Sequence, residues 1–177
     1  MPSNEPGATR SMVVALVADA EPLVGAHRDR LDPTTRRGLG AHVTLVYPFV
    51  EPARITDATV RDLRAAVAPV APFTCAFPAL RWFSDRVLWL APDPVDPFVE
   101  IADRIVRGVP GCPPPQRDLV PHLTVGLRRR ASLPDLLAAE QKLTPALPLT
   151  TRIGTVQLMV RAATWETLAE AALGDGL

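Results

Sequence analysis

Two short stretches of the chain alternate polar and apolar residues in the same order. Residues His42–Leu45 read His-Val-Thr-Leu, and 80 residues later His122–Val125 read His-Leu-Thr-Val. Successive side chains of a β-strand point to opposite faces. Each stretch therefore predicts a strand with His and Thr on one face and aliphatic residues in the core. The chain repeats one polar face, and this repeat is its most informative pattern.

Hydrophobic spacing along the rest of the chain predicts four helices and six further strands. The helices are expected over Pro22–Leu31, Thr56–Ala68, Asp96–Gly108 and Ser132–Leu143. The strands are expected over Met12–Val17, Phe73–Leu80, Arg86–Ala91, Leu147–Arg152, Thr155–Arg161 and Thr164–Leu173. The second His-x-Thr strand is expected to span Leu119–Arg128, and Trp82–Asp85 to form a hairpin turn. The last strand is the least distinct, because Glu166–Glu170 also suits a helix.

The predicted elements occur in the same order in both halves of the chain. Each half has a helix, a His-x-Thr strand, a second helix and further strands, which indicates an internally duplicated α+β domain. We expect two pseudo-symmetric lobes, each with an antiparallel sheet and flanking helices, around a central cleft bearing both His-x-Thr strands. Residues 1–11 are expected to be a flexible N-terminal tail, and residues 12–177 a single bilobal domain, because no low-complexity linker separates the halves.

Composition limits the partners of this domain. The 177 residues include 19 Lys and Arg against 19 Asp and Glu, so the formal net charge is zero and no basic field favours long nucleic acid. Any nucleic-acid substrate should therefore be small or held locally. The apolar run Met12–Ala18 is too short to span a membrane, and no signal-peptide cleavage pattern follows it. We therefore expect a cytoplasmic protein without membrane partners, and a monomer.

The two His-x-Thr stretches resemble the paired motifs of the two-histidine (2H) phosphoesterase superfamily, in particular its bacterial 2′-5′ RNA ligase and cyclic phosphodiesterase branch. The likeness includes Tyr47–Phe49 after the first motif, the strand Val87–Leu90, and Pro121 before the second histidine. It implies an enzyme that opens 2′,3′-cyclic phosphates of nucleotides or RNA ends with neither metal nor cofactor. Reversible 2′-5′ RNA ligation is a further activity that the resemblance implies for such a site.

The resemblance implies that His42 and His122 are the acid–base pair and that Thr44 and Thr124 hold the phosphate. The chemistry suits these residue types. Opening a cyclic phosphate needs a base for the attacking water and an acid for the departing ribose oxygen. Imidazole titrates near pH 6.5 and can take either role. Hydroxyl groups can donate hydrogen bonds to the charge that develops on the phosphoryl oxygens.

Several alternatives stay open at this stage. Which histidine is the acid and which the base is not encoded in the motifs. Tyr47 either stacks on a base or packs in the core beside Phe49. Some relatives carry an arginine soon after the second motif; here Arg128 is the first candidate substitute, and a solvated cluster with Arg129 and Arg130 is the alternative. There are also two alternatives to the enzyme. In one, the chain is a non-catalytic nucleotide-binding module on the same scaffold. In the other, His42 and His122 are metal ligands.

Overall fold

A computed structural model describes residues 9–115 and 118–174 of the chain. The strands are β1 (Arg10–Leu16), β2 (His42–Val46), β3 (Phe73–Phe83), β4 (Val87–Asp93), β5 (Leu123–Leu127), β6 (Leu149–Ile153), β7 (Thr155–Arg161) and β8 (Trp165–Ala172). The helices are α1 (Glu21–Leu31), α2 (Asp57–Val67), α3 (Asp96–Gly108) and α4 (Leu133–Leu143). These strands and helices form an α+β fold, as predicted. No helix of the described segments is long and apolar enough to cross a membrane.

All eight strands belong to one antiparallel sheet. Their order is β6-β3-β4-β5-β2-β1-β7-β8, which puts the two His-x-Thr strands, β2 and β5, side by side at the centre. The expectation of a separate sheet for each half of the chain is thereby corrected, because β2 pairs with β5 and joins the two sets of strands. The C-terminal strand β7 also pairs with β1, so the β2-β1-β7-β8 side of the sheet combines strands from both ends of the sequence.

The four helices were predicted well: α2 and α4 begin at side-chain caps, whereas α1 and α3 have no side-chain cap and begin with Pro in the first turn. Thr56 precedes α2, and its hydroxyl accepts a hydrogen bond from the backbone N–H of Thr59 at 3.3 Å. Ser132 makes the equivalent bond with Asp135 at the start of α4, at 3.2 Å. Such caps satisfy N–H groups that have no partner within the helix.

The predicted division of the motif strands into a polar and an apolar face is confirmed. Four aliphatic motif residues are at most 4% exposed and share one core with side chains of the helices: Val43, Leu45, Leu123 and Val125. The four polar motif residues are half-buried: His42, Thr44, His122 and Thr124. Helix α1 packs against β5 and α4, while α3 packs against β2 and α2. The helices thus cover the apolar face of the central strands and leave the other face to the motif side chains.

Several boundaries differ from the prediction, and three of them concern the ends of strands near the motifs or the tail. Strand β1 already begins at Arg10, two residues before the predicted domain start, and residues 1–8 of the predicted tail lie outside the described residues. Strand β3 continues through Phe83, because the last residues of β3 pair with the start of β4. Strand β5 begins at Leu123 rather than Leu119, after Pro121, whose nitrogen cannot donate to a ladder.

Candidate active site

The two His-x-Thr strands bring four polar side chains to one patch of the sheet. Val43 of β2 lies opposite Leu123 of β5 in antiparallel register. Extending this register by one residue in each direction sets His42 opposite Thr124 and Thr44 opposite His122, all on the face away from the helices. The predicted catalytic residues therefore lie together. Among the described residues, no three His, Cys, Asp or Glu side chains are grouped so that they could hold a metal ion.

Each motif strand carries a β-bulge at the same place. In the pairing of β1 with β2 the extra residue is Leu45, and in the pairing of β4 with β5 it is Val125. Both directly follow the motif threonine. Bulges bend a strand and are common next to active sites, where they redirect side chains. The duplication thus includes the backbone irregularity as well as the residue types.

The bulge in β5 explains why Gly126 follows the second motif. After the extra residue, the alternation of side chains between the two faces of the sheet shifts by one position. Position 126 therefore faces the helices. A Cβ atom there would lie 2.5 Å from Leu136 Cδ2 and 2.8 Å from Leu31 Cβ. Helices α1 and α4 both pack onto this bare stretch of backbone. A side chain at this position would push them away from β5.

Both histidines are anchored through the same ring nitrogen. Nδ1 of His42 lies 2.8 Å from the carbonyl oxygen of Gly40, and Nδ1 of His122 lies 2.7 Å from that of Val120. A carbonyl only accepts, so each Nδ1 carries the proton and donates it. The neutral ring then presents an unprotonated Nε2. Each Nε2 can take up a proton or, once protonated, give one away.

A buried ionic network supports the backbone beside His42. Arg28 is fully buried and donates to Asp32 Oδ2 at 3.0 Å and to the carbonyl oxygen of Leu39 at 3.3 Å. Its other terminal nitrogen lies 3.6 Å from Glu21 Oε1, which accepts a hydrogen bond from the N–H of Ala41. The network therefore holds the segment that precedes His42. Sequence analysis missed Arg28, although it lies on the apolar side of its helix with Val24 and Leu31.

The surroundings of His42 favour its neutral form. Burial is the largest cause and, together with the nearby Arg28 guanidinium and His122, lowers the pKa of His42 to about 4. The Gly40 carbonyl and the Asp32 carboxylate act in the opposite direction and are outweighed. At neutral pH in the ligand-free protein His42 is therefore an unprotonated base.

Aromatic rings surround His122 instead. The His122 ring packs edge-on against Phe83 at a centroid distance of 5.1 Å and against Trp89 at 5.9 Å. Those two rings stack on each other at 4.5 Å. Burial lowers the pKa of His122, and the Val120 carbonyl opposes that shift. The sequence places Phe83 in a turn; the run of large apolar residues at 82–83 is the signal that the strand continues.

Tyr47 is exposed, whereas Phe49 is buried. The Tyr47 side chain is 51% exposed and Phe49 only 3%, so Tyr47 does not pack in the core beside it. The Tyr47 hydroxyl accepts a hydrogen bond from Arg10 Nη1 at 3.2 Å. Its ring remains available to a ligand, and stacking on a base stays a prediction.

Arg128 directly follows the end of β5, four positions after Thr124. Its guanidinium lies 3.6 Å from Asp85 Oδ2 in the β3–β4 turn. The structure therefore pairs Arg128 with an acid, and its contact with a substrate stays a prediction.

Comparisons with known proteins agree with this geometry. A model of the 2′-5′ RNA ligase superfamily matches residues 15–165. No curated protein sequence matches the chain. Escherichia coli LigT complexed with 3′-AMP is 18% identical over 94% of this chain and 98% of its own, with a TM-score of 0.61. The LigT complex with NADP+ is 17% identical over 95% and 99%, with a TM-score of 0.59.

A protein from a second organism shares the fold. TT0787 of Thermus thermophilus is 15% identical over 95% of this chain and 100% of its own, with a TM-score of 0.58. At these identities the solved structures show a common fold. The family model spans most of the chain and includes both His-x-Thr motifs. The chain therefore belongs to the 2′-5′ RNA ligase superfamily, the group of 2H phosphoesterases that its motifs resemble.

Proposed function

We propose that the protein is a phosphodiesterase that opens 2′,3′-cyclic phosphates of nucleotides or RNA ends by acid–base catalysis with His42 and His122. The observation that carries the proposal is the matched anchoring of the two rings through Nδ1, on adjacent strands, with Nε2 of each left for proton transfer. The substrate phosphate would lie over the central strand pair, in a cleft between the two sides of the sheet.

The reaction needs one neutral and one protonated imidazole. The neutral ring accepts a proton at Nε2 from a water molecule as the water oxygen attacks phosphorus. The P–O bond to one ribose oxygen breaks, and the protonated ring gives its Nε2 proton to that oxygen. The product is a phosphomonoester, and the two rings have exchanged protonation states. Proton exchange with solvent restores the starting state.

Binding of the anionic substrate favours the protonated form of one of the two histidines. The pKa values of both histidines are lowered in the ligand-free protein, so both rings are mainly neutral at pH 7. A bound phosphate is a negative charge beside the two rings, and it favours protonation of one of them. Substrate binding thus helps to produce the acid that the reaction needs.

The threonines of the motifs are proposed to hold the phosphate. Thr44 and Thr124 share a face with the histidines, and each would lie opposite the histidine of the other copy. Their hydroxyls can donate to the phosphoryl oxygens, where negative charge develops during attack. Loss of one such preorganised donor commonly lowers kcat by about 100-fold or more. Thr44→Val and Thr124→Val are expected to have effects of this size.

The structures of relatives support a small nucleotide as ligand. E. coli LigT has been solved with 3′-AMP, with NADP+ and with ATP. The zero formal charge of the present chain also favours a nucleotide or short RNA end over a long duplex. Joining RNA ends through a 2′-5′ linkage is the same opening with a 5′-hydroxyl in place of water: its oxygen bonds to phosphorus, the P–O3′ bond breaks, and the 3′ oxygen takes the proton from the protonated ring. We include this ligation in the proposal as a second activity.

Incubation of the purified protein with 2′,3′-cyclic mononucleotides in excess chelator tests the proposal. We expect turnover to a phosphomonoester that chelator does not reduce. Tight binding of cyclic nucleotides or cyclic-phosphate RNA ends without turnover of any would instead identify a nucleotide-binding module. Activity abolished by chelator and restored by a divalent metal would contradict the proposed metal-independent mechanism.

A further inference from the structure

Two arginines lie directly opposite each other on the same face of the sheet as the histidines. Arg10 of β1 pairs with Arg161 of β7 in antiparallel register. Along β1, Arg10 shares its parity with Val14, which lies opposite Thr44. Alternating side chains therefore set Arg10 and Arg161 on the face that carries the motif side chains.

This pair of like charges has no acidic partner among the described residues. Within residues 9–115 and 118–174, neither arginine forms an ion pair with a carboxylate. Like charges directly opposite each other destabilise a sheet. Burial, Arg10 and Arg37 lower the pKa of Arg161, in that order of size, and Tyr47 opposes them, so Arg161 lies close enough to both arginines to be repelled by their charges. No carboxylate in the described segments offsets this repulsion.

Aromatic side chains flank these cations. Arg10 donates to the exposed hydroxyl of Tyr47, which directly follows β2. The guanidinium of Arg161 lies over the Trp165 ring, 5.7 Å from its centroid. These contacts orient the two side chains without neutralising them. We call Arg10, Arg37 and Arg161 the arginine cluster.

The arginine cluster is separate from the place where the reacting phosphate would bind. Arg10 lies four residues along β1 from Val14, the neighbour of Thr44, which is about 13 Å along a strand. A cyclic mononucleotide has only one phosphate, and that phosphate would be held at the histidines. A single ligand that reaches both the histidines and the arginine cluster must therefore be longer than a mononucleotide.

We propose that the arginine cluster is a second phosphate-binding site, which takes an internucleotide phosphate of a single-stranded RNA whose cyclic-phosphate end lies at His42 and His122. The Tyr47 ring, between the two sites, would stack on a base of that strand. This inference rests on the proposed function and adds that the preferred substrate is an oligonucleotide end. Arginine suits the task because its planar fork of donors matches phosphate oxygens.

The double variant R10Q/R161Q tests the inference with two substrates. The probes are a 2′,3′-cyclic mononucleotide and a single-stranded trinucleotide that ends in a 2′,3′-cyclic phosphate. For the wild type we expect kcat/KM to be about ten-fold higher with the trinucleotide. The double variant should lose that advantage through KM and retain its rate on the mononucleotide. R152Q, which removes an exposed arginine on β6 at the opposite edge of the sheet, is the matched control and should change neither rate.

Three further measurements distinguish phosphate binding from a merely structural effect. Removing one of two opposed like charges should leave the melting temperature of R161Q unchanged or raise it. R161K keeps the charge and should retain most of the trinucleotide preference. Trinucleotide affinity should also depend less steeply on salt in the double variant, by about 0.7 in the log–log slope for each lost phosphate contact.

The possible failures are distinguishable. Equal losses on the two substrates, or no loss on the trinucleotide, would overturn the second phosphate site while leaving the proposed reaction intact. If the wild type opens neither substrate, the proposed reaction fails, and fluorescence anisotropy with a labelled 3′-phosphorylated trinucleotide decides the inference separately. Weaker binding by R10Q/R161Q than by R152Q would support it, and equal binding would overturn it.

Discussion

The two histidines share one backbone arrangement and differ in what surrounds it. Each ring donates from Nδ1 to the carbonyl two residues earlier, and each motif threonine is followed by a bulge. Beside His42 the neighbours are charged and buried, with Arg28 and Asp32 at the centre. Beside His122 they are the rings of Phe83 and Trp89.

The comparison shows which features both copies of the motif need in order to position the histidine ring. The strand, the bulge and the carbonyl acceptor occur in both copies, and together they fix where Nε2 lies. The side chains packed around each histidine need only hold that backbone in place. An ionic network does so beside His42, and an aromatic cluster does so beside His122. The two environments still matter for chemistry, because each sets the pKa of its own histidine.

Among substitutions outside the His-x-Thr motifs, the largest effect is expected from removing the charge beside His42. Arg28→Met leaves Asp32 buried without its partner, and breaking a buried ion pair in this way costs about 3 kcal/mol of unfolding free energy. Activity should fall as well, because the segment before His42 loses its support. Urea unfolding and turnover assays measure the two effects.

Arg104→Met is the matched control for this change. Arg104 also pairs with an acid four residues away, Glu100, at 2.8 Å, but that pair is exposed. Exposed pairs contribute little, so its loss should cost about 0.5 kcal/mol or less. Equal costs for the two variants would show that the buried network does not stabilise the fold.

A smaller effect is expected from removing one of the aromatic rings beside His122. Phe83→Leu removes the ring that packs against both His122 and Trp89, and aromatic pairs contribute about 1 kcal/mol beyond their buried area. We expect about a five-fold loss of kcat/KM. The NMR titration midpoint of His122 should rise towards 6.5 as water reaches its ring.

Phe73→Leu provides the comparison for Phe83→Leu. Phe73 also makes an edge-on aromatic contact, with Phe98 at 5.1 Å, on strand β3 away from the histidines. It should lower stability without moving the titration of His122. If both variants move that titration equally, the aromatic rings beside His122 do not act specifically on it.

The smallest effects are expected in the titration of the free protein. By NMR, His42 should titrate near pH 4 and His122 below pH 6.5. His122→Gln should raise the pKa of His42 slightly, because His122 is one of the charges that lower it. A His42 midpoint at or above 6.5 would contradict the burial that the structure gives it.

The same lowered pKa predicts how stability depends on pH. Between pH 6.5 and about 4, an unfolded histidine binds a proton that native His42 does not, so the unfolding free energy should fall as pH falls through this window. Its stabilising share is fully present above pH 6.5. Chemical denaturation across the window should show a weaker dependence for His42→Gln.

Local sequence signals predicted the helices and the alternation of the motif strands. Thr56 and Ser132 cap helices because their hydroxyls bond to residues only three positions away. The final segment, Trp165–Ala172, also suits a helix locally but forms β8, because pairing with β7 overrides its helical preference. The direct pairing of β2 with β5 likewise depends on contacts between distant segments.

The bulges and the side chains packed around the histidines could not be predicted. A bulge is a mismatch between two strands, so Val125 becomes the extra residue only once Thr124 lies opposite Trp89. That bulge resets the alternation after the motif. The prediction that Arg128 binds substrate rests on the arginine that some relatives carry soon after the second motif, and it stays a prediction; in the structure the Arg128 guanidinium lies 3.6 Å from Asp85 Oδ2.

The central claim is that the two His-x-Thr copies form one acid–base site. Its most direct test is kcat for a 2′,3′-cyclic nucleotide in the wild type, H42Q, H122Q and the double variant. We expect each single variant to lose about 100- to 10,000-fold and the double variant to lose little more, because both groups serve one step. Near-normal turnover by either single variant, or losses that multiply in the double variant, would contradict a single shared site.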